Sequence, residues 1–156
     1  MPLTLYTFGY WGWGNHTARL VKGVDAVERH RGYRPPLFVD IRIHRAVRAK
    51  GFAGNAFERT VGKRRYRWMP ELGNRSVLPG QRSDRIRIDH PAAAADLLQL
   101  ARAAAKDRRR VIFFCSCEQP RGCHRLTVAR LVLKEAQRRG VRLMVEEWPG
   151  VTVKLR

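Results

Sequence analysis

VIFFCSCEQPRGCHRLTVARLVLKEAQRRG (residues 111–140) is the stretch on which the fold turns. VIFFCSC (111–117) is a continuous apolar run with β-branched and aromatic residues, as in a strand covered on both faces. Pro120 and Gly122 shape a loop. CHRLTVARLVLKEAQRRG then repeats apolar residues at helical spacing, with Val128, Leu131, Val132 and Ala136 inward and Gly140 as the stop. Strand, loop and helix in that order make the unit of an α/β sheet.

The rest of the chain repeats the unit. Leu3 to Gly9 reads as a first strand, stopped by Gly9, Gly12 and Gly14. Asn15 is placed to cap a helix in which Leu20, Val21, Val24 and Val27 recur at helical spacing up to about His30. Pro35 and Pro36 break the chain before LFVDIR (37–42), a buried strand ending in polar groups. Ile43 to Gly62 is basic, with a short helix expected over Ala56 to Val61. YRWMPEL (66–72) reads as a third strand with Pro70 at its end or on an edge. Gly73 to His90 has no period and reads as a long loop. Pro91 suits a first helical position, opening an Ala-rich helix to Lys106 with Leu97, Leu98, Leu100 and Ala101 as its stripe. VRLMVEE and VTVKL, joined by WPG, read as a closing strand pair. The expectation is one α/β domain over 1–156, three layers deep, with a mainly parallel sheet and a C-terminal strand pair.

The 44% apolar content fits a globular chain and excludes a disordered one. Lys and Arg number 32 against 13 Asp and Glu, for a net charge of +19. Polyanions are the natural partners of such a chain, because each neutralised phosphate releases a counterion. A preference for Arg over Lys has a compositional explanation; the deficit of acids does not. No run approaches the roughly 20 apolar residues of a membrane span, and MPLTLYTFGYW lacks a secretory pattern, so a cytoplasmic location and no membrane partner are expected. There is no repeat, no low-complexity tract, no P-loop, no HExxH and no G-x-S-x-G.

All three cysteines lie within CSCEQPRGC (115–123), followed at once by His124 and Arg125. In an open α/β sheet, ligands collect beyond the carboxyl ends of the strands. That rule gathers Asp40 and Arg42, Glu71, the Gly9 to Asn15 loop, Cys115 and Cys117, and Cys123, His124 and Arg125 around one pocket mouth. The start of a helix favours negative charge, which pushes a thiol there toward thiolate, the form that attacks or binds metal. Four chemistries remain open. Cys123 or Cys115 as thiolate, with His124 as acid–base partner and Asp40 as orienting carboxylate or base, makes a catalytic site. Cys115, Cys117, Cys123 and His124 supply four soft ligands, enough for zinc or iron, although C-x-C followed by adjacent C-H is an awkward spacing. Cys115 or Cys117 with Cys123 makes a redox pair. Cys115 and Cys117 as small hydrophobes at a strand end make core packing.

Arg125, Arg42 and Arg121 are the candidate anion-binding groups. Cys115 and Arg121 meet a C-x5-R spacing, but the loop lacks the glycines that would expose a row of N–H groups. Trp11 and Trp13 in GYWGWGN either present rings to bases or wedge the loop to the core. Arg45, Arg48, Lys63, Arg64 and Arg65 are candidate contacts to a nucleic-acid backbone, which raise affinity without reading sequence.

TFGYWGWGN, FVDIRIHRAVRAKGF, YRWMPELGN and FFCSCEQPRGCHRLTVARLV, in this order and spacing, resemble the family called domain of unknown function 488 over nearly the whole chain. The resemblance implies an α/β fold and a site drawn from Asp40, Arg42, Phe52, Leu72, Gly73, Cys115, Cys123, His124 and Arg125. Members often carry Glu two residues after the first Cys, where this chain has Cys117, and Pro-x-Ser where it has Arg45 to Val47. The leading expectation is a nucleic-acid-associated enzyme with DNA or RNA as partner. The alternatives are a non-catalytic basic DNA- or RNA-binding protein and a zinc- or iron-binding site.

Overall fold

The structure, a computed structural model, describes residues 2–119 and 121–153. Its spine is β4 (Val111–Cys115), every residue of which is buried. Val111, Phe113 and Cys115 join the core on one face of the sheet, Ile112 and Phe114 the core on the other. Period-2 alternation with both faces apolar is why the sequence shows one unbroken hydrophobic run. Each fully buried Phe contributes about 2 kcal/mol of transfer free energy.

Five strands run parallel in the order β3 (Tyr66–Trp68), β2 (Leu37–Asp40), β4, β1 (Leu3–Gly9), β5 (Leu143–Glu147). Register sets Gly9 beside Cys115 and Asp40 beside Phe114. Among the described residues there are four α-helices. α1 (Thr17–His30) and α2 (Ala56–Val61) cover one face with Leu20, Val21, Val24, Phe57 and Val61, over an aromatic cluster of Tyr10, Phe38, Phe52, Tyr66 and Phe114. α3 (Ala93–Lys106) and α4 (His124–Arg138) cover the other with Leu97, Leu98, Ala101, Val128, Val132 and Ala136. This is the expected single α/β domain in three layers. No helix among the described residues is long and apolar enough to cross a membrane.

Several boundaries differ from the sequence reading. The strand expected over 37–42 stops at Asp40 because its own carboxylate accepts the Arg42 backbone N–H at 3.1 Å, turning the chain out of the ladder. β3 is only three residues, an edge strand, with Pro70 beyond it in a 3-10 turn over Pro70–Leu72. The cap of α1 is His16 rather than Asn15, with no side-chain bond. α3 begins at Ala93, with Pro91 in the turn before it. α4 and the short α2 lie where the spacing puts them. The expected C-terminal strand pair is not established. Antiparallel pairing to β5 extends only through β6 (Val151–Thr152), and residues 154–156 lie outside the described residues.

In strand order, β1 leads to a helix on one face while its neighbour β4 leads to a helix on the other. The loops therefore part between these strands, opening a crevice at their carboxyl ends. The three cysteines sit there.

Candidate functional site

Cys115 is the last residue of β4 and Cys123 is the N-cap of α4. Seven residues separate them in the chain, yet their sulfurs lie 3.0 Å apart. Cys123 Sγ also accepts the backbone N–H of Arg125 at 3.5 Å, the side-chain-to-N2 bond of a capped helix, made here by sulfur. His124 Nδ1 is 3.9 Å from the same sulfur. On the far side of the ring, Nε2 lies 3.0 Å from the Ile41 carbonyl oxygen. A carbonyl can only accept, so Nε2 carries a proton and Nδ1 is the nitrogen turned to the thiol.

The three thiols are unequal. A hydrogen bond from Cys115, then one from Cys117, pulls the Cys123 thiol far below its ordinary value; burial opposes this, and His124 and the Arg125 N–H add to it. Burial pushes Cys115 well up. Of the two, Cys115 is pushed toward the thiol and Cys123 toward the sulfur anion. Cys117, half-buried, is also raised, hydrogen bonding to Cys123 and burial outweighing the pull of Cys115. Cys115, Cys123 and His124 form a group that could hold a metal ion, their ligand atoms lying within 4.8 Å of one another. Cys117 is not part of that group, so the four-ligand set read from the sequence becomes three.

The thiols floor a cleft of about 300 Å³, walled by Arg42, Ile43, His44, Val47, Asn74 and Val77. Arg121 is exposed beside the loop, and Glu71 is exposed along a neighbouring cleft.

Asp40, Arg42 and Arg125 reach this edge of the sheet as expected, but each is engaged within the protein. Asp40 is fully buried and accepts Arg42 Nε at 2.8 Å, Arg42 Nη2 at 2.6 Å and the Tyr66 hydroxyl at 2.6 Å. Arg42 Nη1 donates to the Tyr10 hydroxyl and the Phe52 carbonyl, and its guanidinium lies 5.2 Å from the Tyr10 ring centre. Arg125 is the largest fully buried side chain. Its Nη1 forks onto both Glu147 oxygens at 2.7 and 2.8 Å and onto Thr7, and Nη2 donates to the Cys117 carbonyl. Burial pushes the Arg125 charge down, but Cys115, Glu147 and Cys123 more than offset it. Arg125 Nε is the one buried side-chain nitrogen or oxygen among the described residues without a partner. These guanidiniums set the local potential and pin the thiol loop rather than presenting an open fork to an anion; a buried charge must be paired where it lies.

The candidate nucleic-acid contacts divide between two ends of the sheet. Trp11, 67% exposed, stands on the loop after β1; Trp13 packs against the aromatic cluster. Arg45 stacks on Trp68 at 4.0 Å, and Arg48 is exposed on the same post-β2 segment. These border the cleft end. Lys63 and Arg64 are exposed but precede β3, at the amino end. Arg65 is tied to Asp25 at 2.6 Å and to the Pro36 carbonyl.

Glu147 and Tyr66 complete the site and were not read from the sequence; Tyr10, read only as a ring of the Gly9 to Asn15 loop, joins them by its hydroxyl. The signal for Glu147 was present: VRLMVEE is an apolar strand that ends in acid at the sheet edge where the ligands gather. Tyr66 carries no such mark. Phe52 is buried and stacked on Tyr10 at 3.7 Å, and Leu72 is buried. Gly73 backs onto Ile43 so closely that a Cβ would lie 2.7 Å from its backbone nitrogen. Those three residues build the walls.

A model of the family described as Domain of unknown function DUF488 matches residues 21–132. No curated protein and no solved structure matches the chain.

Proposed function

Starting from a chain that belongs to the family described as domain of unknown function DUF488, we propose that this protein is a cysteine-dependent enzyme associated with nucleic acid, with Cys123 as its nucleophile. The observation that carries the reading is the setting of the Cys123 sulfur: capping α4, 3.0 Å from the Cys115 sulfur, accepting the Arg125 N–H, and faced by His124 Nδ1. Each of these favours the anion over the thiol. With Nε2 held on Ile41, Nδ1 takes the Cys123 proton or returns it to a leaving group. Asp40 and Glu147 orient the two arginines; neither is the base. A cleft of about 300 Å³ with both polar and aliphatic walls fits a single nucleobase or small electrophile.

The test is alkylation. One thiol should react with iodoacetamide well ahead of the other two, and mass mapping should place it at Cys123. Because its pKa is lowered, its rate should stay level from about pH 8 to about pH 6, where an ordinary thiol of pKa about 8.5 slows roughly tenfold per unit. Cys123→Ser should melt like the parent and lose the fast phase. Uniform slow labelling of all three thiols would sink the proposal.

Association with nucleic acid rests on the net charge of +19 and on Trp11, the Arg45–Trp68 stack and Arg48 at the carboxyl end of the sheet. Affinity for single-stranded oligonucleotides should fall steeply with salt, each lost phosphate contact lowering the log–log slope by about 0.7. Trp11→Ala and the double variant Arg45→Ala/Arg48→Ala should weaken binding more than Lys63→Ala/Arg64→Ala. The reverse ranking would move the interface to the other end of the sheet. If binding and function in the cell both survive Cys123→Ser, the protein is a non-catalytic binder.

A second reading has its own observation. Cys115, Cys123 and His124 Nδ1 would hold zinc or iron, with the Ile41 carbonyl orienting the ligand ring from behind. The two sulfurs must part for this, since thiolates on one tetrahedral zinc stand about 3.8 Å apart. Elemental analysis of the purified protein, positive for one equivalent of zinc or iron, would decide for it.

A further inference from the structure

A nucleophile that ends its cycle by hydrolysis needs a water beside it. Beside Cys123 stands a second thiol. Cys115 Sγ lies 3.0 Å from it, about 1 Å beyond a covalent S–S bond. Both sulfurs line the same cleft, and a loop turning through Gly122 joins their backbones. A thiol in that position can resolve one kind of intermediate, a Cys123 sulfur oxidised by the loss of two electrons. We infer that Cys115 and Cys123 are a dithiol couple that reduces small hydroperoxides, Cys123 attacking the peroxide and Cys115 closing the disulfide.

The steps balance as follows. Cys123 sulfur attacks the terminal oxygen of R–O–O–H. The O–O bond breaks, R–O⁻ leaves and takes up the proton Cys123 gave up, and Cys123 becomes a sulfenic acid. Cys115 sulfur then attacks the sulfenic sulfur. The S–S bond forms, the S–O bond breaks, and hydroxide departs with the Cys115 proton as water. Two thiols have lost two electrons and two protons, and the hydroperoxide has become an alcohol and water. An external dithiol restores the couple by exchange at the Cys123 sulfur.

The surroundings suit a small oxidant. Cys115 and Cys123 are 1% and 3% exposed, so only a compact electrophile entering the cleft reaches them. His124 Nδ1 is placed to carry a proton between sulfur and leaving oxygen. Cys117, nearer the surface than the Cys115–Cys123 pair, is the spectator.

The activity rests on the proposed role of Cys123, and one set of measurements separates the two. Hydrogen peroxide, one equivalent added to the reduced full-length chain, should remove two of three titratable thiols and lower the mass by two hydrogens. Trypsin should release VIFFCSCEQPR (111–121) joined to GCHR (122–125). Cys117→Ser should give the same link. Cys115→Ser should form none and hold a Cys123 sulfenic acid that dimedone traps. Cys123→Ser should consume peroxide at least about tenfold more slowly. A link through Cys117, or sulfinic acid without a link in the parent, overturns the couple. If Cys123 still alkylates first, the nucleophile reading stands while this one falls. If the 115–123 link forms although Cys123 shows no preferential alkylation, the dithiol couple stands, but Cys123 is not its attacking sulfur and the nucleophile reading falls with that assignment.

Discussion

Asp40→Ala will destabilise the protein by about 3–5 kcal/mol, because it removes one partner of a buried ion pair and leaves the other charged. Asp40 is inaccessible and Arg42 nearly so. Three Arg42 nitrogens and the Tyr66 hydroxyl converge on this one carboxylate. Arg42 cannot turn outward easily, since Nη1 is held by Tyr10 and the Phe52 carbonyl. In a domain of this size the melting midpoint should drop by about 6–20 °C. The loss extends to the thiols. The Ile41 carbonyl that fixes the His124 ring lies between Asp40 and Arg42, so loosening that bend frees Nδ1 from its station over Cys123, and thiol alkylation in the folded variant should lose its flat pH profile. Scanning calorimetry with alkylation kinetics reads both. A midpoint within about 2 °C of the parent would mean that Arg42 finds another partner or water, and that the Asp40 cluster is not what ends β2.

Gly9→Ala should act on the thiol loop from the other side. A Cβ at Gly9 would stand 1.6 Å from the Cys117 carbonyl oxygen, 2.8 Å from its carbon and 2.9 Å from Arg125 Nη2. Two of these atoms are backbone, so no rotamer relieves the clash; either β1 or the Cys115–Cys123 loop must move. Over-packing of this kind costs about 1–3 kcal/mol, and more where backbone must shift. The expected pattern is a melting midpoint lower by about 6 °C or more, together with loss of the Arg125–Cys117 bond and of selective reactivity at Cys123. An unchanged midpoint and unchanged labelling would show that the Cys117 carbonyl yields freely and that the close approach of β1 does not hold the loop.

How legible these features were follows from their physical range. β1, α2, α4 and the spine β4 announce themselves through period and apolar runs, which are local. The convergence of residues 40–42 with 115–125 was legible through a topological rule, since strand ends of a parallel sheet share one edge. What decides the roles of those residues was not. Arg125 next to Cys-His reads as an anion clamp until its partner appears, and that partner, Glu147, lies on a strand 22 residues on. Arg42 reads as a clamp until Asp40, Tyr10 and Phe52 close around it. Long-range pairing of a buried charge leaves no periodic trace. The end of β2 was missed for the opposite reason: one side-chain bond from Asp40 to Arg42 overrides a strand-like run. Arg65 in KRRYR similarly looks like a surface cation, and Asp25 on α1 claims it.

The strand order has a consequence for anyone who trims this chain. The segment by which relatives are recognised, 21–132, omits β1 and β5. In the sheet β1 is an interior strand, flanked by β4 and β5. A fragment cut to the matched span would bare the long side of β4 as an open, greasy edge, a template for fibrils or mispairing. It would also strand Arg125 as a lone cation within that wound. The unit of recognition and the unit of folding are different lengths of polypeptide here, and expression boundaries should be drawn from the second.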